Sequence, residues 1–256
     1  MNILCIGDVV GSGAVAYLQN NLWETRRKLK ADMVIANGEN AADIHGISRA
    51  DAEALLDAGV DLITLGNHAF GRYDIGSLLS ESQSIIRPAN FPPQAPGSGY
   101  TILNLDGWRV LGINVQGTAM MESLACPFAT VDHILEREQG NYDFAVMDIH
   151  AEATSEKLAL ARYFDGRIAV MFGTHTHVPT ADEQILPNGS GYITDLGMTG
   201  PIDSIIGTEV SIVIERFRTK MPTRFRVATG EIRAAGALFT LNDDRTRVTR
   251  VARVTF

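Results

Sequence analysis

The sequence has few cysteines, no excess of positive charge and no long apolar run. Cys5 and Cys126 are its two cysteines, and we interpret both as buried small hydrophobic side chains, with a disulfide as the alternative. The formal net charge is −8, whereas a protein that binds duplex nucleic acid through its phosphates normally has a basic surface. The sequence contains no uninterrupted run of about 18 apolar residues, so no transmembrane helix is predicted. These absences argue against a disulfide-rich scaffold, binding to duplex nucleic acid and a membrane protein.

The N-terminal residues lack the features of two common kinds of segment. Residues 1–8 are too short for a secretory signal and have neither a basic n-region nor a cleavage site, so we expect a cytoplasmic protein. Gly7, Gly11 and Gly13 do not match the G-x-G-x-x-G spacing of a Rossmann dinucleotide site. Asp8 instead stands at the end of the first predicted strand, where a carboxylate ligand is well placed.

Apolar residues make up 45% of the 256 residues, enough for one large α/β domain or two small ones. In the first part of the chain, short apolar runs alternate with segments of helical spacing. We predict strands at residues 2–6, 32–36 and 61–65, and helices at residues 14–30 and 48–58. Ser48 is the expected N-cap of the second helix. This alternation is typical of βαβ units and indicates the α/β class.

The pattern changes near residue 100. Residues 100–105 and 109–115 flank Asp106-Gly107 and predict an antiparallel β-hairpin. Further strands are predicted at residues 143–150, 168–172, 191–197, 235–242 and 247–256, and further helices at residues 128–138 and 155–164. Residues 209–220 fit either a strand or an amphipathic helix. We therefore expect antiparallel strands beside the parallel ones.

Polar side chains follow several of these strands at the point where each strand ends. They are Asp8, Glu39, Asn40, Asn67, His68, His150, His175 and His177. Any one of them is compatible with an ordinary turn, but ligands in open α/β sheets gather beyond the carboxyl ends of strands. Carboxylate, amide oxygen and imidazole together suit Mn, Fe or Zn rather than a Cys-rich structural zinc site. There are more donors than one tetrahedral ion needs, and they fit two ions about 3.5–4 Å apart.

The same residues resemble the motifs of a known family. Gly7-Asp8, Gly66-Asn67-His68, His150 and Gly173-Thr174-His175-Thr176-His177 occur in the order found in calcineurin-like metallophosphoesterases. Two positions differ from the usual motifs. Val10 replaces a histidine, and Asn37-Gly38-Glu39-Asn40 replaces the usual G-D-x-x-D block. Both differences resemble the YmdB-like branch of cyclic-nucleotide phosphodiesterases, and this resemblance extends over the full length.

The resemblance implies a fold and a set of site residues. The fold is a single domain, residues 1–256, built as a four-layer α/β/β/α sandwich with two mixed sheets. One metal ion would be held by Asp8, Glu39, Asn40 and His177, and a second by Glu39, Asn67, His150 and His175. His68 would donate a proton, with a role that only orients Asn67 as the alternative. The cofactors would be two divalent or mixed-valence first-row ions, Fe or Mn, with Zn as a further option.

The implied activity is hydrolysis of small phosphodiesters, such as 2′,3′- or 3′,5′-cyclic nucleotides, by a metal-activated hydroxide. A metal-dependent phosphomonoesterase and a regulatory protein that binds nucleotide or metal without turnover are the alternatives. The expected partners are a small phosphodiester or nucleotide and, as in some relatives, further copies of the chain. His45 and residues 116–121 are candidates for substrate contact, although an ordinary loop is the simpler interpretation of each.

Overall fold

The computed structural model describes residues 1–43, 45–105 and 107–256. Its helices are α1 Gly11–Leu29, α2 Arg49–Asp57, α3 Ile75–Glu81, α4 Pro127–Arg137, α5 Thr154–Tyr163 and α6 Val210–Thr219. Its strands are β1 Asn2–Ile6, β2 Asp8–Val9, β3 Met33–Asn37, β4 Leu62–Thr64, β5 Ile85–Ile86, β6 Tyr100–Leu105, β7 Trp108–Gln116, β8 Phe144–His150, β9 Val170–Thr174, β10 Gln184–Ile185, β11 Gly191–Ile193, β12 Met198–Pro201, β13 Ile232–Arg233, β14 Ala235–Leu241 and β15 Val248–Thr255. Within the described residues, none of the helices has the length and apolarity needed to span a bilayer.

Two mixed sheets form the centre of the fold. The first has the order β15-β14-β1-β3-β4-β5, in which β1, β3, β4 and β5 are parallel and β14 is antiparallel to both neighbours. The second has the order β10-β11-β9-β8-β7-β6, with β11, β9, β8 and β7 parallel and both edge strands antiparallel. A small third sheet, β13-β12-β2, adds to these. The predicted α/β class with two mixed sheets is confirmed.

The layers follow from the two faces of each strand. On β1, Leu4 and Ile6 pack with residues of α1 and α2, while Ile3 and Cys5 pack against the second sheet. Successive strand residues point to opposite faces, so a strand buried on both sides is apolar throughout. The second sheet repeats this arrangement, because its other face packs against α4 and α5. The order of layers is therefore helix, sheet, sheet, helix, as expected.

Several local predictions are confirmed. Ser48 caps α2 in a capping box with Asp51, each side chain bonding the other residue's backbone N–H. The hairpin of β6 and β7 pairs Leu105 with Trp108. Asp106, the first residue of its predicted turn, lies outside the described residues. Gly107 has φ 83°, a left-handed conformation that favours glycine.

Other local predictions need correction. Cys126 is exposed rather than buried, because it lies at the N-cap position of α4, ahead of Pro127. Cys5 is buried, and both cysteines are free thiols. The ambiguous segment 209–220 is a helix, α6. The strand predicted at 168–172 begins at Val170 and continues to Thr174, so β9 extends to the polar residues that follow it.

Candidate metal centre

The polar residues at the strand ends lie together at one edge of the two large sheets. Asp8 begins β2, and Glu39 follows β3. His150 is the last residue of β8, and it pairs in register with Thr174 at the end of β9. Glu39, His150 and His175 offer ligand atoms that all lie within 4.8 Å of one another. Strands distant in sequence thus place carboxylate and imidazole side chains around one point.

One side of this site is centred on His150. Its Nε2 atom lies 3.2 Å from Oε1 of Glu39, 3.0 Å from Oδ1 of Asn67 and 3.1 Å from Nδ1 of His175. His150 is fully buried, and Glu39 is 1% exposed. Nitrogen and oxygen atoms that converge on one buried nitrogen at these distances are close enough to share a cation.

The other side is centred on His177. Its Nε2 atom lies 3.7 Å from Oδ1 of Asp8 and 3.3 Å from Nδ2 of Asn40. Asn40 in turn donates to Oε1 of Glu39 at 3.1 Å. The structure therefore brings together all the predicted ligands in one continuous chain of contacts. We call this set the donor cluster: Asp8, Glu39, Asn40, Asn67, His150, His175 and His177. Their role as metal ligands stays a prediction.

A hydrogen-bonded relay orients His150. Its Nδ1 atom lies 2.9 Å from Oγ1 of Thr174, and that hydroxyl donates to Oδ1 of Asp148 at 2.7 Å. Because the hydroxyl proton goes to Asp148, Thr174 accepts from Nδ1–H of His150, which leaves Nε2 as the nitrogen that faces the donor cluster. Sequence reasoning missed both residues. One feature of the sequence could have indicated Asp148: it lies two residues before His150 in the same strand, so both side chains are on the same face.

The other two imidazoles have partners of their own. Nε2 of His175 lies 3.2 Å from Oε2 of Glu152, and Nδ1 of His177 donates to the backbone oxygen of Ile206 at 3.0 Å. In each ring the second nitrogen is then directed to the donor cluster. Glu152 and Ile206 were also missed, and no local pattern in the sequence marks either of them. Such outer partners fix the tautomer and the ring orientation of a ligating histidine.

The segment that carries His175 and His177 has a strained backbone. Both residues have positive φ, 98° and 63°, which is uncommon for residues other than glycine. Thr176 between them donates its hydroxyl to Oδ2 of Asp195 at 2.8 Å, and the buried Lys157 binds the same oxygen at 2.7 Å. This buried ion pair holds the segment in a conformation that it would otherwise rarely adopt.

The electrostatics of the donor cluster are dominated by burial and by mutual charge. Burial raises the pKa of Asp8 to about 6. Burial disfavours charge on Glu39 and on His150 as well, but each stabilises the charge of the other. The pKa of Glu39 is lowered to about 2 and that of His150 is raised to about 9. Burial, then the charge of His150, lowers the pKa of His175 to about 3. At neutral pH the cluster therefore holds a proton that an incoming cation must displace.

Two observations show that these residues fit a metal ion. Oδ1 of Asp8 is buried and has no hydrogen-bond partner among the described residues, and a buried carboxylate oxygen normally has one. Gly66 packs so closely that a Cβ there would overlap Glu39 and His150, so the backbone leaves space only for the donors. Carboxylate, amide and imidazole donors of this kind suit a first-row divalent ion.

His68 lies at the mouth of the site. Its backbone N–H donates to Oε2 of Glu39 at 3.1 Å, and its Nε2 lies 3.1 Å from Nδ2 of Asn67. The ring of His45 stacks on it with the ring centroids 4.0 Å apart. Burial lowers the pKa of His68. Both histidines line a cavity of about 670 Å³ together with Glu39, His175 and His177. By contrast, Gln116 is fully buried, and residues 116–121 do not line this cavity.

The paired mixed sheets and the donor cluster at their strand ends define a protein of the calcineurin-like metallophosphoesterase type. Residues 4–254 match the family model of YmdB-like proteins. The chain therefore belongs to the YmdB-like family, as the sequence motifs predicted.

Similar proteins agree with this assignment. A 2′,3′-cyclic-nucleotide 2′-phosphodiesterase of Bacillus subtilis (strain 168) is 40% identical over 254 residues, which cover 99% of this chain and 96% of the relative. A crystal structure of a hypothetical protein from Thermus thermophilus superimposes with a TM-score of 0.94 at 42% identity, covering 100% of this chain and 99% of the other. A novel phosphatase of Mycoplasma pneumoniae has a TM-score of 0.94 at 31% identity, with coverage of 100% and 93%.

Proposed function

We propose that this protein is a metal-dependent phosphodiesterase that hydrolyses nucleoside 2′,3′-cyclic phosphates. Two first-row ions, Fe or Mn, would be held by the donor cluster, with Glu39 shared between them. The observation that carries the proposal is the convergence of Glu39, His150 and His175 within 4.8 Å beside the unpartnered oxygen of Asp8. The substrate class rests on the name of the Bacillus subtilis relative.

The side chains around the site have separable roles in this proposal. Asp8, Asn40 and His177 would hold one ion, and Asn67, His150 and His175 the other. When bound, such ions lower the pKa of a coordinated water and neutralise charge on a phosphoryl group. The relay from His150 through Thr174 to Asp148 keeps one imidazole in the required tautomer.

His68 would supply the proton that the leaving oxygen needs. It lines the cavity and contacts Asn67, so a diester held at the donor cluster lies beside its ring. Burial lowers its pKa, but the negative charge of a phosphate beside the ring stabilises the imidazolium and opposes that shift. An alkoxide is a poor leaving group without a proton, and general acid catalysis contributes about 10² to 10⁴ in rate.

A phosphomonoesterase is the second candidate, favoured by the Mycoplasma pneumoniae structure, which is described as a phosphatase. The two activities need the same donors and differ in whether the pocket accommodates a second ester group. The 670 Å³ volume of the cavity is larger than a phosphate monoester group requires and lies within the range for drug-sized ligands, about 300–1,000 Å³.

A substrate panel tests the proposal. The protein is loaded with Mn²⁺ or Fe²⁺, and a second sample is stripped with chelator. Both are assayed on 2′,3′-cyclic AMP, 3′,5′-cyclic AMP, bis-p-nitrophenyl phosphate and p-nitrophenyl phosphate. We expect metal-dependent hydrolysis that is fastest on the 2′,3′-cyclic nucleotide. Hydrolysis of the monoester alone would establish the second candidate, and no hydrolysis of any substrate by the loaded protein would refute both.

A further inference from the structure

The cavity that Glu39, Asn40, His175 and His177 of the donor cluster line has a second wall of a different character. This wall is formed by α6 and the chain that follows it. We call it the α6 wall and define it as Val213, Arg216, Phe217, Phe225 and Arg226, all of which line the 670 Å³ cavity. It combines aromatic rings with guanidinium groups, whereas the donor cluster consists of carboxylates, amides and imidazoles. The metal chemistry described above uses none of these five residues.

The turn before α6 connects the α6 wall to the donor cluster. Ile206, in the turn before α6, accepts from Nδ1 of His177 at 3.0 Å. It does so with φ 49°, an outlier for a β-branched residue. The backbone N–H of Glu209 donates to the backbone oxygen of Arg226 at 3.1 Å, and that of Ala228 donates to Gly207 at 2.9 Å. These bonds hold the segment that carries Phe225 alongside the start of α6, next to the candidate metal site.

The main aromatic side chain of the α6 wall is exposed to a ligand. Phe217 is 68% exposed although it is a large apolar residue at a cavity, and Nζ of Lys220 lies over one face of its ring, 5.6 Å from the centroid. The guanidinium carbon of Arg216 lies 5.1 Å from the ring centroid of Phe225. No ion pair among the described residues includes Arg216, whereas Arg226 is paired with Glu209 at 3.0 Å. Phe217 therefore offers an exposed ring, and Arg216 offers a guanidinium group that lies over the ring of Phe225 and has no ion-pair partner among the described residues. Planar, electron-rich rings bind to groups of both kinds.

We propose that the α6 wall binds the nucleobase of the substrate, with Phe217 as its main stacking surface and Arg216 covering the base edge. This inference rests on the proposed function, because it places the phosphodiester of the same nucleotide at the donor cluster. Stacking on an aromatic face accepts all bases, since every base has a π-face. The α6 wall therefore selects nucleotides over other phosphodiesters without selecting one base strongly.

The test compares substrates with and without a base. The ratio of kcat/KM for 2′,3′-cyclic AMP to that for methyl riboside 2′,3′-cyclic phosphate is measured on the metal-loaded protein. We expect Phe217→Ala to lower this ratio by about 10-fold or more, mainly through KM of the nucleotide. Phe217→Trp retains a stacking surface and should keep the ratio near that of the wild type. Ile214→Ala is the matched control, because Ile214 is an exposed apolar residue of the same helix that does not line the cavity.

If Phe217→Ala leaves the ratio unchanged, whether both rates stay the same or fall equally, the proposal is overturned and the proposed phosphodiesterase activity stands. If the wild type hydrolyses neither diester, the proposed function fails and binding decides the inference. Titration of metal-loaded protein with adenosine 3′-monophosphate and with ribose 5-phosphate then gives the outcome. Tighter binding of the nucleotide that Phe217→Ala abolishes supports the α6 wall as a base site. Equal affinity for the two ligands refutes it.

Discussion

The donor cluster and the α6 wall both contribute residues to the same cavity but are built in opposite ways. The donor cluster is drawn from strand ends far apart in the chain, as shown by the bond from the backbone of His175 to Asp8 across 167 residues. Asp8, Glu39 and His150 are almost completely inaccessible. The α6 wall comes from one short region, and α6 itself buries only Val213.

This difference in construction matches two different proposed roles, metal binding by the donor cluster and choice of substrate by the α6 wall. Buried donors whose partners come from several strands keep a fixed geometry, because no single side chain can move without breaking contacts made by others. An exposed helix with few packing partners accepts substitution at small cost in stability. We therefore expect changes in the donor cluster to affect metal binding and folding, and changes in the α6 wall to affect the choice of substrate. The following predictions test this separation.

The largest effect is expected at Glu39. Glu39→Gln keeps the shape of the side chain but removes the charge that lies 3.2 Å from Nε2 of His150. Because the shared carboxylate is lost, we expect the protein to lose bound metal and its hydrolysis to fall to the background rate. Metal analysis after dialysis and the rate on 2′,3′-cyclic AMP measure this.

Glu53→Gln is the matched control, since Glu53 is an exposed residue of α2 outside the donor cluster. It should retain both metal and activity. Full metal content in Glu39→Gln would contradict the assignment of Glu39 as a ligand.

His68 should give the next largest effect. His68→Ala removes the proposed proton donor but none of the proposed ligands, so metal content should stay the same. We expect a loss of about 10² to 10⁴ in kcat on 2′,3′-cyclic AMP. The loss on bis-p-nitrophenyl phosphate should be much smaller, because p-nitrophenolate leaves without a proton. A uniform loss on both substrates would show that His68 does not act as a general acid.

Two ion pairs, one that supports the donor cluster and one in the α6 wall, allow the two regions to be compared by their effect on the free energy of unfolding. Lys157→Met leaves Asp195 buried without its partner, and we expect a loss of about 3–5 kcal/mol in the free energy of unfolding. Arg226→Ala breaks an exposed pair with Glu209 in the α6 wall, and the expected cost is below about 1 kcal/mol. Urea denaturation of the two variants measures both values.

The double variant Lys157→Met/Asp195→Asn removes the uncompensated charge and should recover part of the loss. Equal destabilisation by the two single variants would argue that the ion pair supporting the donor cluster and the ion pair of the α6 wall do not differ in their contribution to stability.

Among the changes in and around the donor cluster, substitution of Thr174 should have the smallest effect on metal binding. Thr174→Val removes the hydroxyl between His150 and Asp148, and we expect metal affinity to fall about 10- to 100-fold. Competition with a coloured chelator measures this affinity. Thr174→Ser retains the hydroxyl and should bind metal nearly as well as the wild type. An unchanged affinity in Thr174→Val would remove the relay from the account of the site.

Residues that act locally were predictable. Ser48 was expected as an N-cap because a hydroxyl before a helical segment satisfies orphan N–H groups, and the hairpin after residue 100 followed from two strands separated by a short turn. The donors were found because each stands at the end of an apolar run or within a few residues after it. Residues 209–220 stayed ambiguous because Val210, Ile212 and Ile214 alternate as in a strand, whereas the structure has a helix there that buries Val213.

The sequence alone therefore determined the α/β class, most of the elements and the polar residues at the strand ends, because each depends on neighbours within a few positions. Only the tertiary structure decided the order of strands, the third sheet and the partners that orient His150, His175 and His177. These depend on register between strands that are distant in the chain. Thr174 becomes recognisable as a partner of His150 only when β8 and β9 lie side by side, and Glu152 only through its contact with His175. The α6 wall is placed beside the donor cluster by the contact of Ile206 with His177.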